Sequence, residues 1–448
     1  MKNKYVVIDE KGAIHSPEIY VKSESCPSEF KIIIEREALG ISVVPGVQSK
    51  YIDIAKKFGF KWEPNSDIGF MQYDHNGQLM MELVQRYARQ LVQKIGFPIY
   101  EVRGSNFFDM AHPVVQAYAK LFGDRLFQYK AEKKELVMSY DASYPQFNLA
   151  AEYRIKEDQL PFAHFSLSDC YRNEQSGECM LLLRQRRFFM PDLHPYFKDV
   201  AQAFAWYPKI EEQILSSAKV VNRQYWNIIK VSSEENWEKY QAEIVAIAKR
   251  KRQPALVEIR REGVDRYWII DVDYSLVDEM QQVREIGCIQ IDVGNAKRLG
   301  IKYLGNDGAE HNPVIIHAAV PGGIERYIYA MLDNPKVHLP LWVRPVQVRL
   351  LPVSEKYVEF CEEIAREFPV LRIEIDDRSE GVSKKIKNCF KDFISEFIVV
   401  GEKEVESVES VQAKLDELKG KAEGYPSIEI NIPVLMSRKF ISARCFSS

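Results

Sequence analysis

The sequence predicts a multidomain globular protein that ends in an α/β domain with a largely parallel sheet. Its 448 residues are 46% hydrophobic and 28% charged, and at roughly 100–200 residues per domain this length corresponds to two to four domains. After residue 345, strand-type and helix-type segments alternate as in βαβ units. Before that point, apolar runs follow one another across short polar turns, a pattern typical of strand–turn–strand units.

The charge balance excludes a globally basic nucleic-acid-binding protein. Lysine and arginine number 61 against 64 aspartate and glutamate, a formal net charge of −3, so only local patches could hold a nucleic acid. The seven cysteines form no CxxC pair, and an odd number cannot all pair within one chain. No apolar run approaches the roughly 20 residues of a membrane span. We therefore expect a reduced, cytoplasmic protein without a membrane partner.

The first half of the chain contains a predicted small β unit, a helix and a hairpin. Residues 4–8 and 18–22 are short β-branched runs. Apolar side chains recur at every fourth position within 77–95, which predicts an amphipathic helix. Two apolar runs within 162–197 flank the polar loop 173–178, which predicts two strands joined by a turn.

The chain then continues through further helices and strands to a linker. Polar helices are predicted at about 200–223 and 234–251, and a hairpin is predicted over 255–272, with its turn at Glu262-Gly263. Apolar strands follow at 287–293 and from residue 313, the latter running into a helix. Three prolines within 332–345 predict the interdomain linker.

Four arginines lie on or beside the predicted 162–197 hairpin: Arg172, Arg184, Arg186 and Arg187. A buried guanidinium without a partner costs several kcal/mol, so each must meet an acid or a bound anion. Guanidinium groups match phosphate oxygens, and Phe188 could stack on a base. Salt bridges along an exposed hairpin would satisfy the arginines equally well, so both interpretations stay open.

Two weaker signals come from a glycine pair and from two histidines. Gly322-Gly323 precedes a predicted helix, where close backbone approach and the helix N-terminus favour an anion. Such a pair is more often only a tight turn. His194 and His317 could bind Zn²⁺, although neither belongs to an HxxH or CxxC pattern.

Several ordered blocks together are far more specific than any one of them: YRNEQSG, LLLRQRRFFMPDLHPYF, PVIIHAAVPGGIERYIYAML and PVQVRLLPVSEKYVEF. With these blocks the chain resembles the class II aminoacyl-tRNA synthetases, and specifically the archaeal branch of the threonyl-tRNA synthetases. The resemblance extends from about Gly40 to the C-terminus.

The resemblance implies an α+β catalytic domain with an antiparallel sheet, followed by a C-terminal α/β anticodon-binding domain. The expected boundaries are residues 1–40 for a small N-terminal β unit, 41–335 for the catalytic domain and 343–448 for the anticodon-binding-like domain. The family also implies a homodimer formed through its first motif, in which Ser105 occupies the usual proline position. We expect no N-terminal editing domain, so that proofreading would require a separate trans-editing protein.

The family activity implies two steps at one site. Threonine attacks the α-phosphate of ATP in the presence of Mg²⁺, and the terminal adenosine of the tRNA then takes the threonyl group. By resemblance, Arg172 and Arg326 are catalytic: Arg172 holds the α-phosphate, and Arg326 lies against the adenine. The complete implied ATP-binding set is Arg172, Glu174, Arg184, Phe188, Gln290 and Arg326.

The chain departs from the family at its metal and anticodon positions. The family zinc ligands match His194 and His317, but Ser143 stands at the cysteine position, and a neutral hydroxyl is a poor substitute for a thiolate. Asp192 and Ser143 are the expected amino-acid-binding residues, and whether zinc binds is left open. In the anticodon domain Glu404 is retained, while two expected residues are replaced at Ser379 and Ala413.

The predicted function is therefore ATP-dependent charging of tRNA with threonine, without cis editing. The alternative is a synthetase paralogue that activates an amino acid or binds RNA without charging a cognate tRNA. Ser143, Ser379 and Ala413 motivate this alternative. A scaffold without catalysis is disfavoured because the arginine, glutamate and phenylalanine positions of the ATP site are present together.

Overall fold

The computed structural model describes residues 3–41, 50–261, 266–333, 339–430 and 432–439. The described residues form two compact units. The first contains the chain up to residue 56, residues 60–72 and residues 88–338; the second contains residues 57–59, 73–87 and the chain from residue 339 onwards.

The first unit is built on a ten-stranded sheet. In spatial order its strands are Ile14–His15, Lys4–Ile8, Ala255–Ile259, Trp226–Val231, Trp268–Val277, Val283–Asp292, Val314–Ala319, Arg187–Phe197, Phe162–Tyr171 and Ile99–Glu101. Neighbouring strands are antiparallel except at two places, Trp226–Val231 beside Ala255–Ile259 and Phe162–Tyr171 beside Ile99–Glu101. This sheet confirms the predicted antiparallel architecture.

Helices cover the central strands of this sheet. Val200–Val220 and Ile324–Leu332 both contact the strands Val283–Asp292 and Arg187–Phe197. The central strand Trp268–Val277 is buried along its whole length, as expected when both faces of a strand are covered. The sheet is therefore a rigid platform for the side chains that its strands carry.

The other helices described before residue 333, of which His75–Val92 lies partly in the second unit, are Pro17–Tyr20, Ser28–Ile33, Ile34–Ala38 (a π-helix), Tyr51–Lys57, His75–Val92, Pro113–Ala119, Ser143–Ala150, Glu234–Lys251 and Asn295–Leu299. The 3₁₀ turns in the same range are Gly123–Arg125, Glu157–Gln159 and Ser176–Glu178. The smaller sheets contain Phe60–Trp62 with Met71–Tyr73; Phe107–Asp109 with Lys134–Met138 and Gln128–Ala131; and Glu310–His311 with Tyr303–Leu304 and Ile155–Lys156.

The second unit contains a four-stranded parallel sheet with the order Phe397–Val400, Val348–Pro352, Ile373–Ile375 and Val434–Leu435. Its helices are Val358–Glu367, Val382–Lys391, Glu402–Glu406 and Val408–Ala422, with 3₁₀ turns at Leu341–Val343, Glu355–Tyr357 and Met436–Arg438. Apolar side chains of the strands share one buried core with the helices Val358–Glu367 and Val408–Ala422, and a smaller buried core with the helix Val382–Lys391. The predicted C-terminal α/β domain with a parallel sheet is confirmed.

Two of the predicted local elements had different outcomes. The hairpin within 162–197 is confirmed, since Phe162–Tyr171 pairs antiparallel with Arg187–Phe197. The hairpin predicted over 255–272 is wrong, because Trp226–Val231 lies between the two strands and pairs with both. Its predicted turn, Glu262-Gly263, lies outside the described residues.

The N-terminal strand is part of the large sheet. Lys4–Ile8 pairs antiparallel with Ala255–Ile259 over five residue pairs. The domain boundaries expected at residues 40 and 343 stay predictions, and part of the expected linker 332–345 lies outside the described residues. None of the described helices is long and apolar enough to cross a membrane.

Candidate active site

One strand connects the two halves of the candidate site. Side chains at alternate positions of a strand share a face, so Phe188, Met190, Asp192 and His194 lie on the same face of Arg187–Phe197. Phe188 and Met190 line a cavity, whereas Asp192 and His194 belong to a buried polar cluster. Each step of two residues advances by about 7 Å, so the cavity and the polar cluster are immediate neighbours along the strand.

The cavity has a volume of about 230 Å³. Every residue that the resemblance assigned to ATP binding lines it: Arg172, Glu174, Arg184, Phe188, Gln290 and Arg326. Phe188 belongs to the strand Arg187–Phe197, and the connection that precedes this strand carries Arg172, Glu174 and Arg184. Gln290 belongs to the strand Val283–Asp292, and Arg326 belongs to the helix Ile324–Leu332. The structure therefore brings together residues that are far apart in sequence, while their individual roles stay predictions.

Arg172 is held in the cavity by a backbone carbonyl oxygen and two aromatic rings. Its Nε donates a hydrogen bond to the carbonyl oxygen of Tyr140 at 3.1 Å. Its guanidinium carbon lies 5.1 Å from the ring centroid of Phe188 and 5.7 Å from that of Phe122. Among the described residues no carboxylate forms an ion pair with Arg172. A bound anion would supply the missing negative charge.

Two other arginines of the hairpin are satisfied by acids. Arg186 is buried and pairs with Asp67. Arg187 pairs with Asp169, its Nη2 lying 2.8 Å from Oδ1. These two arginines follow the salt-bridge interpretation. For Arg172, which forms no ion pair among the described residues, anion binding stays a prediction.

Glu174, one of the acidic residues that line the cavity, has a carboxylate oxygen that accepts no hydrogen bond from the described residues. Glu174 is buried, and its Oε2 lies 3.6 Å from Nη1 of Arg184 without a hydrogen bond from any described residue. Arg184 also pairs with Glu178 at 3.1 Å. A buried carboxylate oxygen without a donor can accept a hydrogen bond from the amino edge of a base.

Arg326 enters the cavity from the first turn of the helix Ile324–Leu332. Its Nε donates to the carbonyl oxygen of Leu183 at 3.0 Å, and its Nη1 donates to that of Glu285 at 3.1 Å. Hydrogen bonds to two separate segments fix the direction of the guanidinium. The preceding residue, Glu325, is buried, with 1% of its surface exposed.

Ser143, the first residue of the helix Ser143–Ala150, lies at the centre of the polar cluster. Its Oγ is 3.0 Å from Nε2 of His194, 3.3 Å from Nδ1 of His317 and 3.4 Å from Oδ2 of Asp192. The two imidazoles approach each other to 3.2 Å between these same nitrogens. The metal and amino-acid positions named from the resemblance therefore converge in the fold.

Burial and charge shift the pKa values in this cluster. Burial raises the pKa of Asp192 to about 7. Burial, together with the charge of His317, holds the pKa of His194 well below its usual value. Burial alone would lower the pKa of His317, but its hydrogen bond to Asp292, 2.7 Å between Nε2 and Oδ2, raises it.

The donor set does not fit zinc as the resemblance implies it. Zn²⁺ sites in proteins use thiolate, imidazole and carboxylate ligands, and Ser143 offers a neutral hydroxyl. Among the described residues no group of three or more histidine, cysteine, aspartate or glutamate side chains is placed to hold a metal ion. We therefore derive no chemical step through zinc.

Sequence reasoning missed several residues of the site. Cys288 and Glu285 line the cavity beside Gln290 on the strand Val283–Asp292. Alternation along that strand could have indicated Cys288 and Asp292, which share the face of Gln290. Tyr267 was also missed; its hydroxyl donates to Oε1 of Gln290 at 3.0 Å, a contact between neighbouring strands that no local pattern reveals.

The predicted anticodon residue lies in the second unit. Glu404 is half-buried in the helix Glu402–Glu406, and its Oε2 accepts a hydrogen bond from the backbone N–H of Gly401 at 2.9 Å. Ser379 and Ala413 are exposed. A helix-capping role accounts for the contact of Glu404, and its role in anticodon recognition stays a prediction.

Comparisons with known proteins agree with this fold. The family profile "tRNA synthetase class II core domain (G, H, P, S and T)" matches residues 127–335, and "Anticodon binding domain" matches residues 347–418. A threonyl-tRNA synthetase structure from Cryptosporidium parvum, described as its RNA binding domain, has a TM-score of 0.73 at 18% identity, covering 85% of this chain and 99% of that one. A putative threonyl-tRNA synthetase, ThrRS-1, from Aeropyrum pernix has a TM-score of 0.66 at 16% identity, covering 87% and 99%.

The fold and the cavity together define a class II aminoacyl-tRNA synthetase, a class that uses ATP and Mg²⁺. The chain is 40% identical to the threonine–tRNA ligase of Nanoarchaeum equitans, covering 86% of this chain and 64% of that protein. It is 37% identical to the threonine–tRNA ligase of Hyperthermus butylicus, covering 98% and 74%. The chain belongs to the threonine–tRNA ligase family, and it spans about two thirds to three quarters of the length of these relatives. The predicted family and fold class are confirmed.

Proposed function

We propose that this chain activates threonine with ATP and transfers the threonyl group to tRNA(Thr). The observation that carries the proposal is the convergence of Arg172, Glu174, Phe188 and Arg326 on one cavity, with Arg172 lacking an acid partner among the described residues. The family relatives, which are threonine–tRNA ligases, support threonine as the amino acid.

The first step needs no protein nucleophile. The threonine carboxylate oxygen attacks the α-phosphorus of ATP, a P–O bond forms, and the bond to the β-phosphate oxygen breaks to release pyrophosphate. Negative charge is spread over the α-phosphate during this exchange; in this proposal Arg172 stabilises it electrostatically, and Arg326 holds the adenine from the same cavity. Mg²⁺, when bound with the nucleotide, neutralises charge on its phosphates.

The second step uses the same site. A hydroxyl of the tRNA terminal adenosine attacks the threonyl carbonyl carbon, and AMP leaves as the acyl bond to the phosphate breaks. The strand Arg187–Phe197 supports this arrangement, because it runs from the nucleotide cavity to Asp192, whose carboxylate can receive a hydrogen bond from a substrate hydroxyl or amino group.

The partners that we propose are tRNA and a second copy of the chain, in a cytoplasmic enzyme. Two aromatic side chains near the predicted first motif are exposed, Tyr100 to 57% and Phe107 to 43%. Exposed apolar side chains are often covered by a partner, which supports a homodimer formed at this segment. Light scattering after size-exclusion chromatography tests the dimer, and a monomeric mass would contradict it. The requirement for a separate proofreading protein stays a prediction.

The decisive experiment measures amino-acid-dependent ATP–pyrophosphate exchange with each of the twenty amino acids, together with aminoacylation of total tRNA. Threonine-dependent exchange with transfer is the expected result. Exchange without transfer would favour the second candidate, the paralogue without cognate charging, which the replacements at Ser379 and Ala413 motivate. Absence of exchange with every amino acid would overturn both.

A further inference from the structure

The polar cluster has the dimensions of a metal-binding triangle but lacks its donor chemistry. Oγ of Ser143, Nε2 of His194 and Nδ1 of His317 are separated by 3.0, 3.2 and 3.3 Å. Ligand atoms about 2.0–2.1 Å from a tetrahedral Zn²⁺ are themselves about 3.3 Å apart. The frame therefore has the right size, but one of its three corners is a neutral hydroxyl.

The same three groups form a consistent set of hydrogen bonds without any metal. In the neutral tautomer of His317 that carries its proton on Nε2, this atom donates to Asp292 and Nδ1 is an acceptor. Nε2–H of His194 can then donate to Oγ of Ser143, and the Ser143 hydroxyl can donate to Oδ2 of Asp192. A zinc ion at this point would require Nε2 of His194 without its proton and would break this chain of hydrogen bonds.

This assignment also explains the one unsatisfied atom of the cluster. Nδ1 of His194 is buried and has no hydrogen-bond partner among the described residues. If the proton of His194 is on Nε2, its Nδ1 is an acceptor and not an N–H donor. A buried acceptor without a partner is less unusual than a buried donor without one.

Neighbouring side chains hold the cluster in place. The ring of Phe147 lies edge-on to both imidazoles, with centroids 4.8 Å from His194 and 5.3 Å from His317. Nε2 of Gln146 donates to the carbonyl oxygen of Asp192 at 3.1 Å. Both residues belong to the helix that begins with Ser143, so one helix fixes the rings, the strand and the hydroxyl together.

The cluster lies where a substrate amino acid must lie if the nucleotide occupies the cavity. Asp192 pairs across the sheet with Ala319, and His317 pairs with Gln290. Ala319 and Gln290 both line the nucleotide cavity. The side chains of Asp192 and His317 are thus paired across the sheet with residues of the nucleotide cavity, so the cluster adjoins the position proposed for the reacting phosphate.

We propose that this chain binds its amino acid substrate without zinc, through direct hydrogen bonds from Ser143 and Asp192, and that the oxygen atom of Ser143 alone separates the cluster from a zinc site. The proposal rests on the proposed function for the identity of the substrate. Because the triangle already has the required dimensions, exchanging that oxygen for a sulfur should create the site that the wild-type chain lacks.

The test compares the wild-type chain with Ser143→Cys and Ser139→Cys, all purified after expression with added zinc. Ser139 is a matched control, because it is buried nearby but its Oγ donates to the carbonyl oxygen of Asp141 at 2.8 Å. Metal analysis by mass spectrometry should find substoichiometric zinc in the wild type and in Ser139→Cys, and close to one zinc per chain in Ser143→Cys.

Activity is measured separately, as threonine-dependent ATP–pyrophosphate exchange with and without 1,10-phenanthroline, which binds zinc much more tightly than Mg²⁺. Wild-type exchange should be unchanged by the chelator. Ser143→Ala should raise the KM for threonine about tenfold without altering the metal content, because it loses one substrate hydrogen bond.

Stoichiometric zinc in the wild type, removed by the chelator together with exchange, would overturn the proposal. Failure of a folded Ser143→Cys to take up zinc would overturn the claim that one atom makes the difference. A lack of threonine-dependent exchange in every variant would instead refute the proposed function, and the metal analysis would still decide whether zinc binds.

Discussion

Both carboxylate oxygens of Glu325 accept a hydrogen bond from the same donor, the backbone N–H of Phe189, at 3.2 and 3.1 Å. The contact ties the first turn of Ile324–Leu332 to the strand Arg187–Phe197. Phe188 and Arg326 are the chain neighbours of these two residues, so this hydrogen bond sets the spacing between the ring and the guanidinium that we expect to enclose adenine.

Removing this carboxylate should cost stability and nucleotide affinity together. Glu325→Ala leaves the backbone N–H of the half-buried Phe189 without its acceptor, which we expect to lower the free energy of unfolding by about 1–3 kcal/mol. Urea denaturation measures the stability, and the KM for ATP in pyrophosphate exchange should rise. Glu325→Gln keeps one acceptor and should lie between wild type and alanine; equal values for all three would contradict this role.

The two cavity arginines should be indispensable for activation. Arg172→Ala removes the positive charge proposed to hold the α-phosphate, and Arg326→Ala removes the guanidinium proposed to hold the adenine; each should lower kcat/KM for pyrophosphate exchange about 10²–10³-fold. Arg187→Ala is the matched control, because Arg187 belongs to the same hairpin as Arg172 but pairs with Asp169. Circular dichroism verifies folding, and wild-type exchange in Arg172→Ala would refute the assignment.

The glycine pair before the helix contains one position that only glycine fits. Gly322 has φ +139°, and a Cβ there would lie 2.4 Å from the carbonyl oxygen of Ile286. Gly323 has φ −51°, and the nearest atom to its Cβ would be Cδ of Arg326 at 3.7 Å. We expect Gly322→Ala to displace the helix start and lower exchange at least about tenfold, because the adjacent Arg326 must be positioned closely.

Gly323→Ala provides the comparison for this prediction. Its added methyl group meets only ordinary van der Waals space, so its stability should remain within about 1 kcal/mol of wild type. Thermal unfolding and pyrophosphate exchange are measured on both variants. Equal behaviour of the two alanine variants would contradict the steric explanation.

A half-buried lysine outside the site should make stability depend on pH. Burial lowers the pKa of Lys251 from 10.5 to about 7. Below pH 7 the folded and unfolded chains both carry the proton, whereas between pH 7 and about 10 the unfolded chain holds a proton that the folded chain has released. This group therefore makes the free energy of unfolding rise with pH across that interval, by on the order of 1 kcal/mol per unit.

The variant Lys251→Met isolates this contribution. It removes the titrating amine, so urea midpoints measured from pH 7 to pH 9 should rise less steeply than in the wild type. Absolute stability is a separate quantity, because the variant also loses the hydrogen bonds from Nζ to Tyr225 and Asn227. Parallel pH profiles for the two proteins would show that Lys251 does not titrate in this range.

The parts of the fold that the sequence predicted are those that depend on neighbours along the chain. The hairpin within 162–197 is one example, since its strands are joined by a short connection and pair with each other. The error over 255–272 has the opposite origin. Its two strands are separated in the sheet by Trp226–Val231, and insertion of an earlier strand is a non-local event that hydrophobic patterning cannot show.

The site divides in the same way. Composition and spacing indicated that the hairpin arginines needed negative partners, but they could not distinguish Arg186, which meets Asp67, from Arg172, which meets no acid among the described residues. That distinction depends on where a distant loop folds. The convergence of Ser143 with the two histidines was predictable only through the family resemblance, because no local metal-binding spacing connects them.

The pairing of Lys4–Ile8 with Ala255–Ile259 in the large sheet has a consequence for synthesis of the protein. Lys4–Ile8 leaves the ribosome before its partner, which follows some 250 residues later. During that interval the nascent strand has unpaired backbone groups that other chains could bind. A long-range strand pairing of this kind therefore exposes the growing chain to aggregation until the second strand has been made.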